Sequence, residues 1–253
     1  MIPQTKITVI TPTFNAGKYL EQTLASVADQ HYPDLEYIIV DGGSTDKTLD
    51  IIRANEGLVT RWVSEPDNGI SDAFNKGIRM ASGDIIGIIN ADDYYHPGAL
   101  AAVAQAAQEN PDADVFYGDA IHERFDGSGV IHFRPMQDIG RCVWKRMPVS
   151  HPATFIRRST YERFGVFDTN YRLAMDYELV LRIYRRGARF RYVDAVLAHF
   201  RYGQSSSAAG LREVRRIVIE NGLSPVVAAW RYGAAAVKVW LKQRLASVVK
   251  TSG

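Results

Sequence analysis

Residues Ile85-Ile86-Gly87-Ile88-Ile89-Asn90-Ala91-Asp92-Asp93 run from an unbroken apolar stretch into a polar cluster with two adjacent carboxylates. Apolar character without alternation predicts a strand buried on both faces, as in a parallel sheet. The same pattern repeats toward the N-terminus. Residues 6–10 (KITVI) read as a strand and end in Thr11-Pro12-Thr13-Phe14-Asn15. A helical pattern follows, with Ala16, Tyr19, Leu20, Thr23, Leu24 and Val27 on one face, and stops before Pro33. Residues 36–40 (EYIIV) form a second strand ending at Asp41-Gly42-Gly43-Ser44. A helix over 46–53, a strand over 59–63 and a helix over 69–81 bring the chain back to Ile85. Beyond Asp93, an alanine-rich helix spans 97–109.

Strands alternating with helices at short spacing predict βαβ units and a parallel sheet. Ligands in such sheets bind beyond the carboxyl ends of the strands. The polar clusters at 11–15, 41–46, 64–68 and 90–93 all fall at strand ends, so four segments are expected to converge on one crevice. The second half is less regular. Strands are expected over 115–118, 121–125, 130–134, 153–157 and 189–193, with a hairpin at Asp126-Gly127-Ser128-Gly129 and a helix over 175–186. Small residues over 205–210 mark a boundary between a catalytic domain (1–205) and an extension (206–253), the latter with helices over 211–220 and 225–249.

The chain has 253 residues, 46% of them hydrophobic, which suits one large domain or two modest ones. Thirty basic against 28 acidic residues leave a net charge of +2, no case for a nucleic-acid partner. Cys142 is the single cysteine, so an intramolecular disulfide and a multi-cysteine zinc site are excluded. No long hydrophobic segment opens the chain, and none reaches the roughly 18 apolar residues of a membrane span, so a cytoplasmic location is expected. The charge is uneven. No acidic residue follows Glu220, while Arg231, Lys238, Lys242, Arg244 and Lys250 do. Val226, Trp230, Ala234, Val237, Leu241, Leu245 and Val248 recur at helical spacing, with the basic residues on another face. Such a helix suits an anionic membrane surface. It equally suits docking on the domain or on a second subunit.

Several residues could carry chemistry. Asp92 and Asp93, at a strand end, can hold a hard divalent cation against phosphate oxygens, or simply begin a helix. Asp41 beside two glycines can accept hydrogen bonds from a nucleobase imide or a ribose, or shape a turn. Asp176, at a helix start, can serve as a base or as a cap. His151 and His199 read as metal ligands, acceptor contacts or structural residues. Arg201 reads as a diphosphate partner or a surface cation.

Taken together, the segments resemble the family 2 glycosyltransferases of the inverting GT-A type. Thr11-Pro-Thr-Phe-Asn15, Glu36 to Asp46, Ser64 to Gly77, Asn90-Ala-Asp92-Asp93, His151-Pro-Ala-Thr-Phe and Met175-Asp176 through Arg182 carry the likeness, in the family's order, over roughly residues 5–205. The resemblance implies a Rossmann-like GT-A domain with a mixed, mostly parallel sheet flanked by helices. Thr11, Thr13 and Asn15 would line the nucleotide pocket and Asp41 would contact the base. Asp67, Asp72, Asn75 and Lys76 would border nucleotide and sugar. Asn90, Ala91, Asp92 and Arg201 complete the expected donor site, with Asp93 and His151 on the acceptor side. Asp92, joined by His199, would hold Mn²⁺ or Mg²⁺. Asn90 departs from the family's Asp-x-Asp pattern and lacks its first charge. Asp176 matches the family's base.

The implied reaction is a single inverting displacement from a nucleotide-diphosphate sugar onto an acceptor hydroxyl. UDP is preferred over GDP or dTDP, and a lipid-linked saccharide is one expected acceptor. The setting would be cell-surface polysaccharide or glycolipid assembly at the inner face of the cytoplasmic membrane. The alternative is a non-catalytic nucleotide-sugar-binding subunit. A sugar-nucleotide pyrophosphorylase would need a Gly-rich basic loop after the first strand, and residues 11–17 hold one glycine, with a single lysine next at 18. A dinucleotide oxidoreductase would need Gly-x-Gly-x-x-Gly there.

Overall fold

A computed structural model describes residues 5–202 and 208–232 of the chain. The N-terminal half follows the alternating pattern: β1 (Ile7–Thr13), α1 (Leu20–Ala28), β2 (Leu35–Asp41), α2 (Thr48–Ala54), β3 (Arg61–Ser64), α3 (Ile70–Met80) and β4 (Ile85–Ile88). β1 and β4 are buried at every residue. The order β3-β2-β1-β4 is parallel throughout. Helices lie on both faces. Leu20, Leu24 and Val27 of α1 pack with Val9 and Ile39, while Phe74 and Ile78 of α3 pack with Ile10, Ile38 and Val40. The alternation of strand side chains sends successive residues to these two separate cores.

Beyond β4 the sheet is no longer parallel. β5 (Tyr94–Tyr95), α4 (Ala99–Glu109), β6 (Val115–Arg124), β7 (Val130–Phe133), β8 (Thr154–Arg157), α5 (Arg158–Phe164), α6 (Met175–Arg185) and β9 (Phe190–Tyr202) complete it. β8 inserts antiparallel between β4 and β6, and β9 runs parallel to β6 with β5 on its far edge. Four pairings are parallel and four antiparallel. The expectation of a mostly parallel sheet is therefore corrected. Helices α4, α5 and α6 still separate strands here, but β7 returns beside β6 as a hairpin and β8 enters against the direction of both its neighbours.

Two expected strands, 115–118 and 121–125, are one strand with shifted register around Asp119. Asp119 is buried but bonded to His132 (2.7 Å) and Tyr192 (2.7 Å), which lets a carboxylate stand inside a strand. β9 runs nine residues past its expected end at Val193, because β6 pairs with its whole length. α5 and β5 are additions to the sequence reading.

α7 (Ala208–Glu220) follows, and a further helix begins at residue 225. Ile217, Val218, Ala228 and Tyr232 are buried with Tyr171, Tyr177 and Leu181, so both helices seat on α6 and the loop before it. The boundary placed at 205/206 and the tail positions Ala234, Val237, Lys238, Leu241, Lys242, Arg244, Leu245, Val248 and Lys250 lie outside the described residues. Among the described residues, no helix is long and apolar enough to cross a membrane.

Candidate active site

The loops after β1, β2, β3 and β4 do meet. Asn15 adopts a left-handed backbone (φ 49°). Its Oδ1 accepts from the Thr45 amide (2.9 Å), and its own amide donates to Ser44 Oγ (2.8 Å), binding the first loop to the second. At Gly42 a Cβ would stand 2.5 Å from the Asp67 carboxylate, so glycine there lets the third loop close in. The result is a cleft of about 530 Å³ walled by Thr13, Asn15, Asp67, Asn90, Ala91 and Asp92, with Tyr19 and Ile70 at its sides. Burial pushes the Asp92 carboxyl above its ordinary value, with Arg201 opposing.

A second cavity of about 330 Å³ adjoins the first, and Asn90 and Ile70 line both. Asp176 and His151 stand in it. Asp176 Oδ1 accepts from the Tyr177 amide (2.7 Å). His151 stacks on Phe74 (5.2 Å between centroids), and its Nε2 is buried without a partner among the described residues. Burial holds the His151 imidazole below its ordinary value, against the pull of the Asp176 carboxylate.

Other expected residues are placed elsewhere. Thr11 is fully buried and its hydroxyl pairs with Tyr37 (3.0 Å), so it lies in the sheet and not on the cleft wall. Asp41 is also fully buried. It accepts from Thr13, from the Gly43 and Ser44 amides, and from the Ser44 and Ser64 hydroxyls. Burial pushes its pKa up, but these bonds carry it below the ordinary value. A carboxylate so filled organises its loop and has no lone pair left for a base. Asn75 exchanges two hydrogen bonds with the backbone of Phe167 (2.9 and 3.0 Å), tying α3 to that loop. Lys76 is held by Glu65 (2.9 Å) and the Pro66 carbonyl (3.1 Å), and Asp72 accepts from the Asn68 amide (3.1 Å). These two brace the third loop from behind.

Asp93 faces inward, accepting from the Arg201 amide (2.8 Å) and Asn90 Nδ2 (3.3 Å), and so is not on the acceptor side. Its burial and the neighbouring Asp92 push its carboxyl well above the ordinary range. Arg201 donates to the Asp92 carbonyl (3.1 Å) and to Gln22, between the rings of Tyr19 and Tyr94. It supports the Asp92 loop instead of facing the cleft. His199 spends both ring nitrogens, on Glu123 (2.9 Å) and His96 (3.1 Å), so it is not free to join Asp92 on a metal. Among the described residues no three His, Cys, Asp or Glu side chains cluster as ligands.

One contributor has no local sequence signal. The Glu213 carboxylate, on α7, accepts from the consecutive amides of Arg172 (3.2 Å), Leu173 (2.8 Å) and Ala174 (2.9 Å). These residues lead directly into Met175 and Asp176. A lone glutamate 37 positions away in the chain gives no warning of this contact.

A sheet whose strand ends gather carboxylates around one cleft, with a second carboxylate cavity joined to it, defines a nucleotide-sugar-dependent transferase of GT-A type. The chain belongs to glycosyl transferase family 2, whose family model matches residues 8–165. It is thus a glycosyltransferase that uses a nucleotide sugar, and the non-catalytic alternative falls away. A PGL/p-HBAD biosynthesis glycosyltransferase of Mycobacterium tuberculosis is 33% identical over 201 residues, covering 76% of this chain and 75% of that one. Two solved structures share the fold. Staphylococcus aureus TarS in complex with UDP-GlcNAc has a TM-score of 0.68 at 19% identity, over 90% of this chain and 70% of that one. Mannosyltransferase PcManGT from Pyrobaculum calidifontis, in complex with GDP-Man and Mn²⁺, has a TM-score of 0.65 at 22% identity, over 93% and 70%.

Proposed function

We propose that the chain moves a sugar, with inversion, from a nucleotide-diphosphate sugar in the first cavity to an acceptor hydroxyl in the second. The observation that carries this is the junction of the two cavities at Asn90 and Ile70, with Asp92 on one side and Asp176 on the other. Thr13, Asn15, Asp67, Asn90, Ala91 and Asp92 border the donor. The acceptor oxygen bonds to the anomeric carbon as the bond from that carbon to the diphosphate oxygen breaks. Asp176 takes the acceptor proton, and the nucleoside diphosphate leaves from the opposite face. His151, beside Asp176, orients the incoming hydroxyl.

The residues present fit a divalent cation. Asp92 offers a carboxylate to the cleft, and Asn90 Oδ1 is buried without a partner among the described residues. Both are oxygen donors, the kind that Mn²⁺ or Mg²⁺ prefers, with sites left for diphosphate oxygens. When bound, the ion neutralises charge on the leaving group. The PcManGT complex with GDP-Man and Mn²⁺ supports the metal. The TarS complexes with UDP-GlcNAc and with UDP support UDP as the nucleotide.

The M. tuberculosis relative supports a place in glycolipid or surface-polysaccharide assembly. We place the chain in the cytoplasm at the inner membrane face, held through its basic tail. Its catalytic unit is 1–205 and its extension 206–253.

The test is a thermal-shift panel of UDP-, GDP- and dTDP-sugars with Mn²⁺ or Mg²⁺, followed by NMR of the glycoside formed. One donor should raise the melting temperature in a metal-dependent way. The product should carry the anomeric configuration opposite to the donor's. Retention of configuration would overturn the mechanism.

A further inference from the structure

The second cavity differs in chemistry from the first. Its polar groups are few. Ser150 Oγ and His122 Nε2 bond each other at 3.0 Å. Asp176 lines it, and His151 Nε2 and Asn90 Oδ1 lie buried in its wall without a partner among the described residues. His151 and Asp176 also share a small void beneath the main cavity, so the two lie together. Elsewhere the lining is apolar: Met147, Val149, Leu173, Phe133 and Phe200.

The apolar character continues outward. In the β6 register His122 lies opposite both Ile131 of β7 and Phe200 of β9, so the three share one face of the sheet. The Phe133 ring is parallel to that of His122 (4.7 Å, 4°), and Phe200 meets it edge-on (5.1 Å, 65°). Ile131 and Leu173 are 56% and 55% exposed.

A saccharide acceptor carries hydroxyls around its ring, and each one buried without a partner costs about 1–3 kcal/mol. With Asn90 Oδ1 given to the cation, Asp176 and His151 Nε2 serve the reacting hydroxyl and little more. At about 330 Å³ the cavity has roughly twice the ~150 Å³ that admits a benzene ring. We infer that the acceptor is an alcohol or phenol borne on an apolar aryl or alkyl body. Its hydroxyl lies at Asp176 and its body on Leu173, Met147, Phe133 and Phe200. The chain therefore glycosylates an apolar aglycone. This inference rests on the reading of Asp176 as the base.

The test is ligand-observed NMR on the full chain, with and without UDP, using 4-butylphenol and methyl β-glucoside as probes. The phenol should bind at least about tenfold more tightly. Leu173→Ser, at a half-exposed position, should weaken the phenol about tenfold and leave UDP binding unchanged. Phe133→Ala should act in the same direction. Equal or tighter binding of the glucoside overturns the inference, as does phenol binding that ignores Leu173→Ser. Asp176→Asn separates the two claims. If that variant still transfers sugar, the base assignment fails; if it still binds 4-butylphenol, the acceptor class stands.

Discussion

The cavities proposed for donor and acceptor share a wall yet are built by opposite means. Around the donor cleft, loops from consecutive βαβ units lie side by side, and most motif carboxylates there are filled with protein donors. Asp41 receives five hydrogen bonds and is fully buried. In the acceptor cavity the wall comes from segments near residues 122, 133, 150, 173 and 200, which only the assembled sheet unites. Asp176 there accepts from its neighbour's amide. The lesson concerns carboxylates: one saturated by donors shapes the chain, and one left open to a cavity can bind or react.

The largest expected effect tests that contrast directly. Asp176→Asn keeps the shape but loses the proposed proton acceptor, and should lower kcat about a thousandfold. Donor affinity should stay within about twofold, because the donor cleft is lined by other residues. A parallel collapse of donor affinity would mean the two cavities act as one site.

The donor half was legible because each motif sits directly after a strand whose apolar run is unmistakable, as with Ile85–Ile88 before Asn90. Even so, residue type did not distinguish organisers from ligand contacts. Thr11, Asp41, Asn75 and Lys76 are polar and near the cleft in sequence, but burial and hydrogen bonding turn them toward the protein. The family resemblance puts His199 and Arg201 beside Asp92 as ligand contacts, and both are consumed by Glu123, His96 and the Asp92 carbonyl. The acceptor wall was opaque. Its strand pairings are antiparallel or separated by many residues, and Asp194, directly after Val193, interrupts the apolar run of β9.

Glu213 offers a smaller effect that sharpens the comparison. Its carboxylate fixes the three amides before Met175, so it positions Asp176 from outside the cavity. Glu213→Ala should lower kcat about tenfold by loosening that loop, with the donor KM unchanged. Glu213→Gln keeps an acceptor oxygen and should recover most of the loss. If the donor KM rises together with the fall in kcat, α7 supports the whole fold and not the acceptor side alone.

The smallest effect on catalysis is expected at Glu36, at the amino end of β2, away from both cavities. It is buried and accepts from Thr8 Oγ1 (2.6 Å), the Ser82 amide (2.7 Å), Ser82 Oγ (2.8 Å) and Arg61 (2.6 Å). Burial alone would raise its pKa, but the bonds from Thr8, Ser82 and Arg61 carry it from 4.5 down to about 2. A folded-state value below the unfolded one means stability that is complete above pH 4.5. That stability is lost as the pH falls toward 2, and amounts to on the order of 3 kcal/mol. Glu36→Gln should therefore lower the melting temperature at neutral pH and flatten its fall between pH 4.5 and 2. Transfer by the folded variant should stay at the wild-type rate. An unchanged acid limb would show that Glu36 is already paired in the unfolded chain. Slowed transfer would show that the saturated carboxylates of the donor half reach the chemistry after all.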